Sequence, residues 1–367
     1  MLRRSGQAIA VLGLAAGVAA CGGTESTSGG ASAVRLDLAQ PWMEADPAAV
    51  GLDGARLDAA ALQAAAIPRG RSLLVARHGR IALERYFADG SQATAFDVRS
   101  VTKSVVSALL GIAIRDGALP SLEMPIGGYL EPPYLLDAES AAITAHQLAT
   151  MTSGFEWNDD VDYDPWLASP DHVQFLLDRP HVAAPGTLFT YNSAAVHVLG
   201  VVVQRATRTP LSDYAQARLF GPIGVGSARW QPLDRGTVNG GSGIRLRARD
   251  MLTYGQLYLQ QGFSGTRAVV PASWVAETTR PQFPWRDDYG AQRSTTYGIL
   301  WWVSDAQPAA FFAWGYGGQF IYVVPSLDLV VVTTTMWQNL SGADAVALAE
   351  QELGVIVDEV LPAAGGS

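Results

Sequence analysis

Lysine is almost absent from this chain, because Lys103 is the only one and every other basic side chain is an arginine. Cysteine is equally scarce, and the single Cys21 excludes both a disulfide within one chain and a catalytic thiol downstream of it. A net charge of −9 without any basic stripe excludes a surface that neutralises nucleic-acid phosphates. The five histidines show no metal-ligand spacing. We therefore predict no metal, no cofactor and no nucleic-acid partner.

Long apolar runs are also lacking after residue 21, so no membrane span is predicted there. Before it, two arginines, a short apolar stretch over residues 9–18 and the small residues before Cys21 resemble a bacterial lipoprotein signal. We expect a signal over residues 1–21, lipidation of Cys21 and a flexible tether over 22–40. The protein would be exported to the periplasmic or outer face of the cell envelope, held only by its N-terminal lipid. The alternative is an ordinary secretory signal.

Residues 41–362 are predicted to form one α+β body, since 49% of the chain is hydrophobic and only 16% is charged. Strand patterns favour an antiparallel five-stranded sheet flanked by helices and built from both chain ends. The α/β part covers about 45–115 and 290–362, and a mainly helical part, about 116–289, is inserted between them. Strands are expected at 72–77, 80–87, 297–303, 318–324 and 329–335, the first two as a hairpin. Helices are expected at 100–116, 144–151, 193–206, 211–220, 248–260 and 343–360.

The first candidate catalytic residues are Ser100 and Lys103, which lie at the start of the helix expected over 100–116. Positions i and i+3 share one helix face, so the hydroxyl and the amine should lie side by side. An electropositive helix end and apolar surroundings both disfavour the ammonium form. An arginine could not lose its proton in this way. The pair is therefore predicted to be a serine nucleophile with an amine base.

Two further motifs follow the pair in order. Tyr191-Asn192-Ser193 comes after the Pro185-Gly186 turn, and a glycine-rich run reads Trp314-Gly315-Tyr316-Gly317-Gly318. Together with S-x-x-K, these motifs resemble the serine β-lactamase and penicillin-binding-protein superfamily, in its class C-like branch. The resemblance covers roughly residues 45–361. It implies the β-lactamase/transpeptidase-like fold.

The resemblance also implies roles for particular residues. Ser100 would form an acyl-enzyme, Lys103 would take or relay its proton, and Tyr191 would act as general acid and base. The amides of Ser100 and Tyr316 would form an oxyanion hole. The remaining residues expected at the oxyanion and substrate site are Gly315, Ser193 and Trp314.

Two departures from the superfamily pattern affect the substrate. Ser193 stands where penicillin-recognising members have asparagine, and Ala313-Trp314-Gly315 replaces a motif that would supply a cation. The chain in this respect resembles esterases and 6-aminohexanoate-dimer hydrolase. We therefore predict hydrolysis of a small ester or amide. The alternatives are a D-alanyl-D-alanine carboxypeptidase or β-lactamase, and a cell-wall-binding lipoprotein with a silent pocket.

Several residues have a structural interpretation beside the functional one. Ser193 is equally well explained as a helix N-cap. Gly315 and its neighbours could mark only a bulge or turn. The acidic run over 156–164 is predicted to be a solvated loop, with the alternative that it borders the cleft and favours a cationic substrate. Trp285 and the pair Trp301-Trp302 are expected in the core or in the cleft wall.

Overall fold

A computed structural model of the chain describes residues 35–365. The predicted signal, Cys21 and residues 22–34 of the predicted tether lie outside the described residues and stay predictions. Within the part described, the segment at Leu36 and Leu38 is hydrogen-bonded to the folded domain. The Leu36 amide donates to Gln260 Oε1 at 3.0 Å, and the Leu38 amide donates to Ser264 Oγ at 2.9 Å. None of the helices over residues 35–365 is long and apolar enough to cross a membrane.

The main sheet of the described residues has nine strands. They are β1 (Met43–Glu44), β2 (Gly70–Arg77), β3 (Arg80–Tyr86), β9 (Asp287–Tyr289), β10 (Gln292–Tyr297), β11 (Trp302–Ser304), β12 (Ala310–Gly315), β13 (Gln319–Val324) and β14 (Leu329–Thr335). The spatial order is β1-β3-β2-β14-β13-β12-β11-β10-β9. β1 runs parallel to β3, and every other neighbouring pair is antiparallel.

The prediction of an antiparallel five-stranded sheet is therefore wrong, although the α+β class is correct. The segment 297–303 is not one strand, because the chain turns at Leu300 (φ 61°) between β10 and β11. β1 and β9 are two and three residues long, too short for a period-two pattern to indicate them. β12 was not among the five predicted strands, and only its last two residues, Trp314 and Gly315, belong to the glycine-rich motif.

The hairpin and the pairing of the two chain ends are confirmed. His78 (φ 51°) and Gly79 (φ 69°) join β2 to β3, and two positive φ values in succession suit the twist of a two-residue hairpin. β2 pairs with β14 in a register that places Arg77 opposite Leu329. An N-terminal hairpin and a C-terminal strand thus share the centre of the sheet.

Helices fill the remainder of the described chain. They are α1 (Gly54–Ala66), α2 (Val101–Arg115), α3 (Gly127–Leu130), α4 (Ala138–Ala142), α5 (Ala145–Ala149), α6 (Asp159–Leu167), α7 (His172–Leu177), α8 (Ser193–Thr207), α9 (Leu211–Ala215), α10 (Ala248–Leu259), α11 (Ala272–Thr278), α12 (Gly342–Gly354) and α13 (Leu361–Ala363). α9 and α12 each continue into a π-helical segment, at Gln216–Phe220 and Val355–Val360. The six predicted helices are present within a few residues of their expected bounds.

Small sheets complete the described architecture. One consists of β4 (Ala95–Asp97), β6 (Ile244–Arg247) and β5 (Arg229–Trp230), with β6 in the centre. The other pairs β7 (Phe263–Ser264) with β8 (Arg267–Ala268). Since β4 leads into α2 and β6 follows a glycine-rich loop, the first small sheet joins two chain segments that are far apart in sequence.

Helix α2 lies at the centre of the molecule. All its residues from Val101 to Ala113 are buried, so its register is fixed by neighbours on every side. Its partners include α8 and strand β12. Gly111 allows the ring of Trp274 to pack directly on the helix, because a Cβ there would overlap that ring. The start of α2 is consequently held in one position relative to the sheet edge and α8.

Candidate active site

Ser100 lies at the junction between β4 and α2. The Val98 amide donates to the carbonyl of Ile244 at 3.1 Å, and Arg99 then adopts a left-handed conformation (φ 49°) that turns the chain into the helix. Ser100 is the N-cap residue, but its side chain makes no capping hydrogen bond. Its hydroxyl, on a residue only 6% exposed, therefore remains available to other partners.

Lys103 meets Ser100 as the i,i+3 spacing predicts. Its Nζ lies 2.9 Å from Ser100 Oγ, 2.9 Å from Ser193 Oγ and 2.8 Å from the carbonyl oxygen of Gly241. The residue is 1% exposed. Burial lowers the pKa of Lys103 to about 7, against the opposing charge of Asp159 and with help from the Arg99 guanidinium. A large fraction of the amine is thus unprotonated at neutral pH.

Tyr191 also lies next to Ser100. An interaction with the Ser100 side chain lowers the pKa of the Tyr191 hydroxyl, against larger opposing effects, and the Lys103 Nζ lies 4.8 Å from the centroid of its ring. The ring packs against Trp302, nearly parallel at a centroid distance of 6.0 Å. Burial, and then the charge of Asp159, raise the pKa of Tyr191 well above its ordinary value. The phenol therefore carries its proton at neutral pH and can donate it.

The glycine-rich motif forms the end of β12 and the turn into β13. A Cβ on Gly315 would overlap the carbonyl oxygen of Val98, so only glycine lets this strand end lie against the residues before Ser100. Gly317 and Gly318 have φ values of 79° and 96°, which favour glycine in the turn. The Tyr316 hydroxyl donates to the carbonyl of Leu340 at 2.9 Å.

Ser193 is not a helix N-cap, so that interpretation is wrong. Asn192 caps α8 by accepting from the Ala195 amide at 2.9 Å. Ser193 is the first helical residue, and its hydroxyl donates to Asp159 Oδ2 at 2.7 Å while its oxygen lies next to Lys103. Its amide also donates to Asp159 Oδ1 at 3.1 Å.

Asp159, Gly241 and Arg99 were missed at the level of sequence. Asp159 lay within a run of five acidic residues, and nothing in that pattern distinguished it. The run is also not a loop, since Asp159–Leu167 form α6, capped by Asn158 and with its acidic residues in the first turn. Gly241 lies in the segment Asn239-Gly240-Gly241-Ser242-Gly243, which held a detectable signal, because so many glycines before a strand often mark a close backbone approach.

Two adjoining cavities meet at Asp159 and Tyr316. The first, of about 310 Å³, is here called the aromatic cavity; besides Tyr191 it is lined by Trp157, Phe189, Trp285, Tyr289, Trp302 and Trp314. Asp159 and Asp287 also line it, and none of its lining residues within 35–365 is basic. Trp285 and Trp302 thus belong to the cleft wall, whereas Trp301 is fully buried.

The second cavity, of about 430 Å³, contains Ser100 and is here called the serine cavity. It is lined by Arg99 together with Asp159, Asp160 and Asp164. The Arg99 guanidinium lies over the rings of Trp337 and Tyr163, at 4.3 Å and 4.9 Å. Between residues 35 and 365, no group of three or more His, Cys, Asp or Glu side chains is arranged to hold a metal ion.

The site residues therefore come together around one hydroxyl. The Lys103 amine is at hydrogen-bond distance from the Ser100 oxygen, the Tyr191 phenol interacts with the same side chain, and a strand end lies against the backbone at Val98. The predicted residues Gly315, Ser193 and Trp314 also lie in or beside the two cavities.

Known proteins share both sequence and fold with this chain. The chain is 32% identical over 211 residues to esterase EstB of Burkholderia gladioli, an alignment that covers 49% of this chain and spans about half of EstB (53%). It is 23% identical over 293 residues to 6-aminohexanoate-dimer hydrolase of Paenarthrobacter ureafaciens, over 73% of each chain. An octameric penicillin-binding protein homologue from Pyrococcus abyssi has the same fold, with a TM-score of 0.65 at 16% identity over 84% of this chain and 79% of that one.

The model of one family matches most of the chain, over residues 58–353. That span includes the serine and lysine, the tyrosine motif and the glycine-rich strand end. The chain belongs to the Beta-lactamase family.

Proposed function

We propose that the protein cleaves a small ester or amide through an acyl-enzyme on Ser100, with Lys103 as the base and Tyr191 as the general acid and base. The observation that carries the proposal is the buried Nζ of Lys103, 2.9 Å from Ser100 Oγ. Its pKa of about 7 suits a base that must be unprotonated before the reaction and protonated after it.

Acylation would proceed in three proton transfers. Ser100 gives its proton to Lys103 as Oγ attacks the carbonyl carbon, and Tyr191 gives its proton to the leaving oxygen or nitrogen as the old bond breaks. Lys103 then returns a proton to Tyr191, whose ring it adjoins. In deacylation a water takes the place of the leaving group. Tyr191 passes its proton to Lys103 as it accepts one from the water, and Lys103 gives that proton to the Ser100 oxygen when the acyl bond breaks.

The developing oxyanion would be held by the backbone amides of Ser100 and Tyr316. Neither amide donates to a protein acceptor within residues 35–365. The contact of Gly315 with the Val98 carbonyl brings the two chain segments together without a side chain between them. Two fixed amide donors aimed at one oxygen are what acyl transfer needs.

A substrate that is neutral or cationic fits the aromatic cavity best. Its walls combine several tryptophan rings with the carboxylates of Asp159 and Asp287, and aromatic faces attract cations. A carboxylate placed there would meet two like charges, which disfavours anionic β-lactams and peptide C-termini. Arg99 in the serine cavity is the observation that favours the second candidate, a penicillin-recognising enzyme, because it could pair with a carboxylate.

Labelling with a fluorophosphonate probe tests the nucleophile. Wild-type protein should be labelled, and Ser100→Ala should lose the label completely. Ser104→Ala is the matched control, because Ser104 lies on the same helix but donates to the Val101 carbonyl. Undiminished labelling of Ser100→Ala would remove the proposal.

Charge selection is tested with p-nitrophenyl esters whose acyl chains end in trimethylammonium, methyl or carboxylate groups. We expect the carboxylate ester to have the lowest kcat/KM, and penicillin not to label Ser100. Asp287→Asn should reduce the preference for the cationic over the anionic ester about tenfold, whereas Asp288→Asn, exposed and outside the cavity lining, should leave it unchanged. Rapid acylation by penicillin would favour the second candidate.

A further inference from the structure

The hydrogen-bonding partners of Lys103 differ in what they can do. An unprotonated amine has two N–H donors and one lone pair, and here three oxygens surround it. The Gly241 carbonyl can only accept a hydrogen bond, so it takes one N–H. Ser100 and Ser193 carry hydroxyls that could each either donate or accept. The direction of proton transfer depends on which hydroxyl faces the lone pair.

Asp159 removes that ambiguity for Ser193. Its Oδ2 accepts the Ser193 hydroxyl proton at 2.7 Å, and its Oδ1 accepts from the Ser193 amide at 3.1 Å and from Trp157 Nε1. A carboxylate that receives three donors can only accept. The single hydroxyl proton of Ser193 is therefore committed to Asp159, and its oxygen can only accept from Lys103.

Both N–H groups of the amine are then occupied, by Gly241 and Ser193. The third direction, which holds the lone pair, points at Ser100, and Ser100 must donate its proton there. We infer that Asp159 is a positioning residue which, through Ser193, sets the direction of proton transfer from Ser100 to Lys103. This inference rests on the proposed acyl-enzyme function and adds to it a residue that contacts neither Ser100 nor Lys103 by a hydrogen bond.

The position of Asp159 explains why a carboxylate is kept near a lysine that must lose its proton. Its negative charge works against the low pKa of Lys103, whereas burial of the amine lowers that pKa. An electrostatic role alone would therefore favour a neutral residue at 159. What a neutral residue would not provide is the fixed orientation of the Ser193 hydroxyl, which donates to the Asp159 carboxylate.

Asp159→Asn tests the inference with a defined geometry. Trp157 and the Ser193 amide both donate to the Oδ1 position, so the asparagine must keep its oxygen there and place its NH₂ toward Ser193. That NH₂ donates to the Ser193 oxygen and turns the hydroxyl proton toward Lys103, where it competes with Ser100 for the lone pair. We expect fluorophosphonate labelling to slow about 10- to 100-fold.

Two readouts separate this effect from simple loosening of the pocket. Loss of the Asp159 charge lowers the pKa of Lys103, so the acid limb of the labelling rate should move to lower pH; entry of water would move it to higher pH. The double variant Asp159→Asn/Ser193→Ala lacks the competing hydroxyl and should label faster than Asp159→Asn alone. Glu156→Gln, an exposed neighbour outside both cavities, is the charge control and should label like the wild type.

The outcomes distinguish the inference from the function on which it rests. Labelling of Ser100→Ala would end both. If Ser100→Ala is silent but Asp159→Asn labels at the wild-type rate, or the double variant is no faster than Asp159→Asn, only the inference is overturned. If Asp159→Asn fails to fold, Ser193→Ala alone still tests the inference. It keeps the hydrogen bond from Trp157 to Asp159, but it removes the hydroxyl that accepts one N–H of the Lys103 amine. Wild-type labelling by Ser193→Ala would overturn the inference.

Discussion

Two buried ionisable side chains, Lys103 in α2 and Glu352 in α12, show what separates the proposed base from a group that is merely buried. Each residue is 1% exposed, and burial shifts each pKa toward the neutral form. Lys103 has an oxygen at hydrogen-bond distance in three directions, whereas neither carboxyl oxygen of Glu352 has a partner among the described residues. Burial alone neutralises a group; oriented partners decide where its proton goes.

The two groups lie on either side of the same glycine-rich motif. Lys103 is next to Ser100, against which Gly315 holds the end of β12. Glu352 lies under the turn, where a Cβ on Gly318 would be 3.0 Å from its Cγ, and near the start of β2 at Gly70. Lys103 is the proposed base of the cleft, whereas Glu352 is a buried carboxyl without a partner among the described residues.

The largest effect is expected from Lys103→Arg, which removes the proposed base and leaves Glu352 unchanged. Arginine keeps the positive charge but cannot act as a base, so kcat/KM for an uncharged p-nitrophenyl ester should fall about 10²- to 10⁴-fold. Steady-state kinetics measures the loss.

A buried arginine could also unfold the pocket, so Lys103→Met is the companion variant. Its unbranched side chain fills similar space without a charge, and its melting temperature should stay near that of the wild type. Retained turnover in a folded Lys103→Met protein would contradict the base role.

A moderate effect is expected in the pH dependence of the labelling rate of the wild type. Only the unprotonated amine can accept the Ser100 proton, so the labelling rate should be full above pH 7 and should fall tenfold per unit below the pKa of about 7. A rate that stays constant from pH 5 to 8 would show that Lys103 is not the group being titrated.

The contacts of Lys103 also show which parts of the site could be predicted from the sequence. Ser100 and Lys103 share one helical turn, so a local rule was enough to bring them together. Gly241 reaches Lys103 directly and Asp159 reaches it through Ser193. These contacts join residues far apart in sequence, which no local pattern encodes. The sheet was underestimated for a related reason, since β1 and β9 exist through pairing with longer neighbours and carry almost no pattern themselves.

The smallest effect concerns stability and the unpartnered Glu352. Because burial raises its pKa in the fold above the ordinary value of 4.5, the folded state holds a proton that the unfolded chain releases. Its contribution is therefore most favourable below pH 4.5 and is lost as pH rises toward the folded-state pKa. Glu352→Gln cannot ionise, so the difference in unfolding free energy, variant minus wild type, should increase by about 1 to 3 kcal/mol between pH 5 and 8.

Denaturant unfolding at both pH values measures this difference. Glu350→Gln, a partly exposed neighbour on α12, is the matched control and should show the pH dependence of the wild type. A flat difference between Glu352→Gln and wild type would mean that the Glu352 carboxyl finds a partner or water when it ionises. Position 352 would then resemble position 103 more closely, because both buried groups would have partners that stabilise them, and the contrast would rest only on which of the two reaches Ser100.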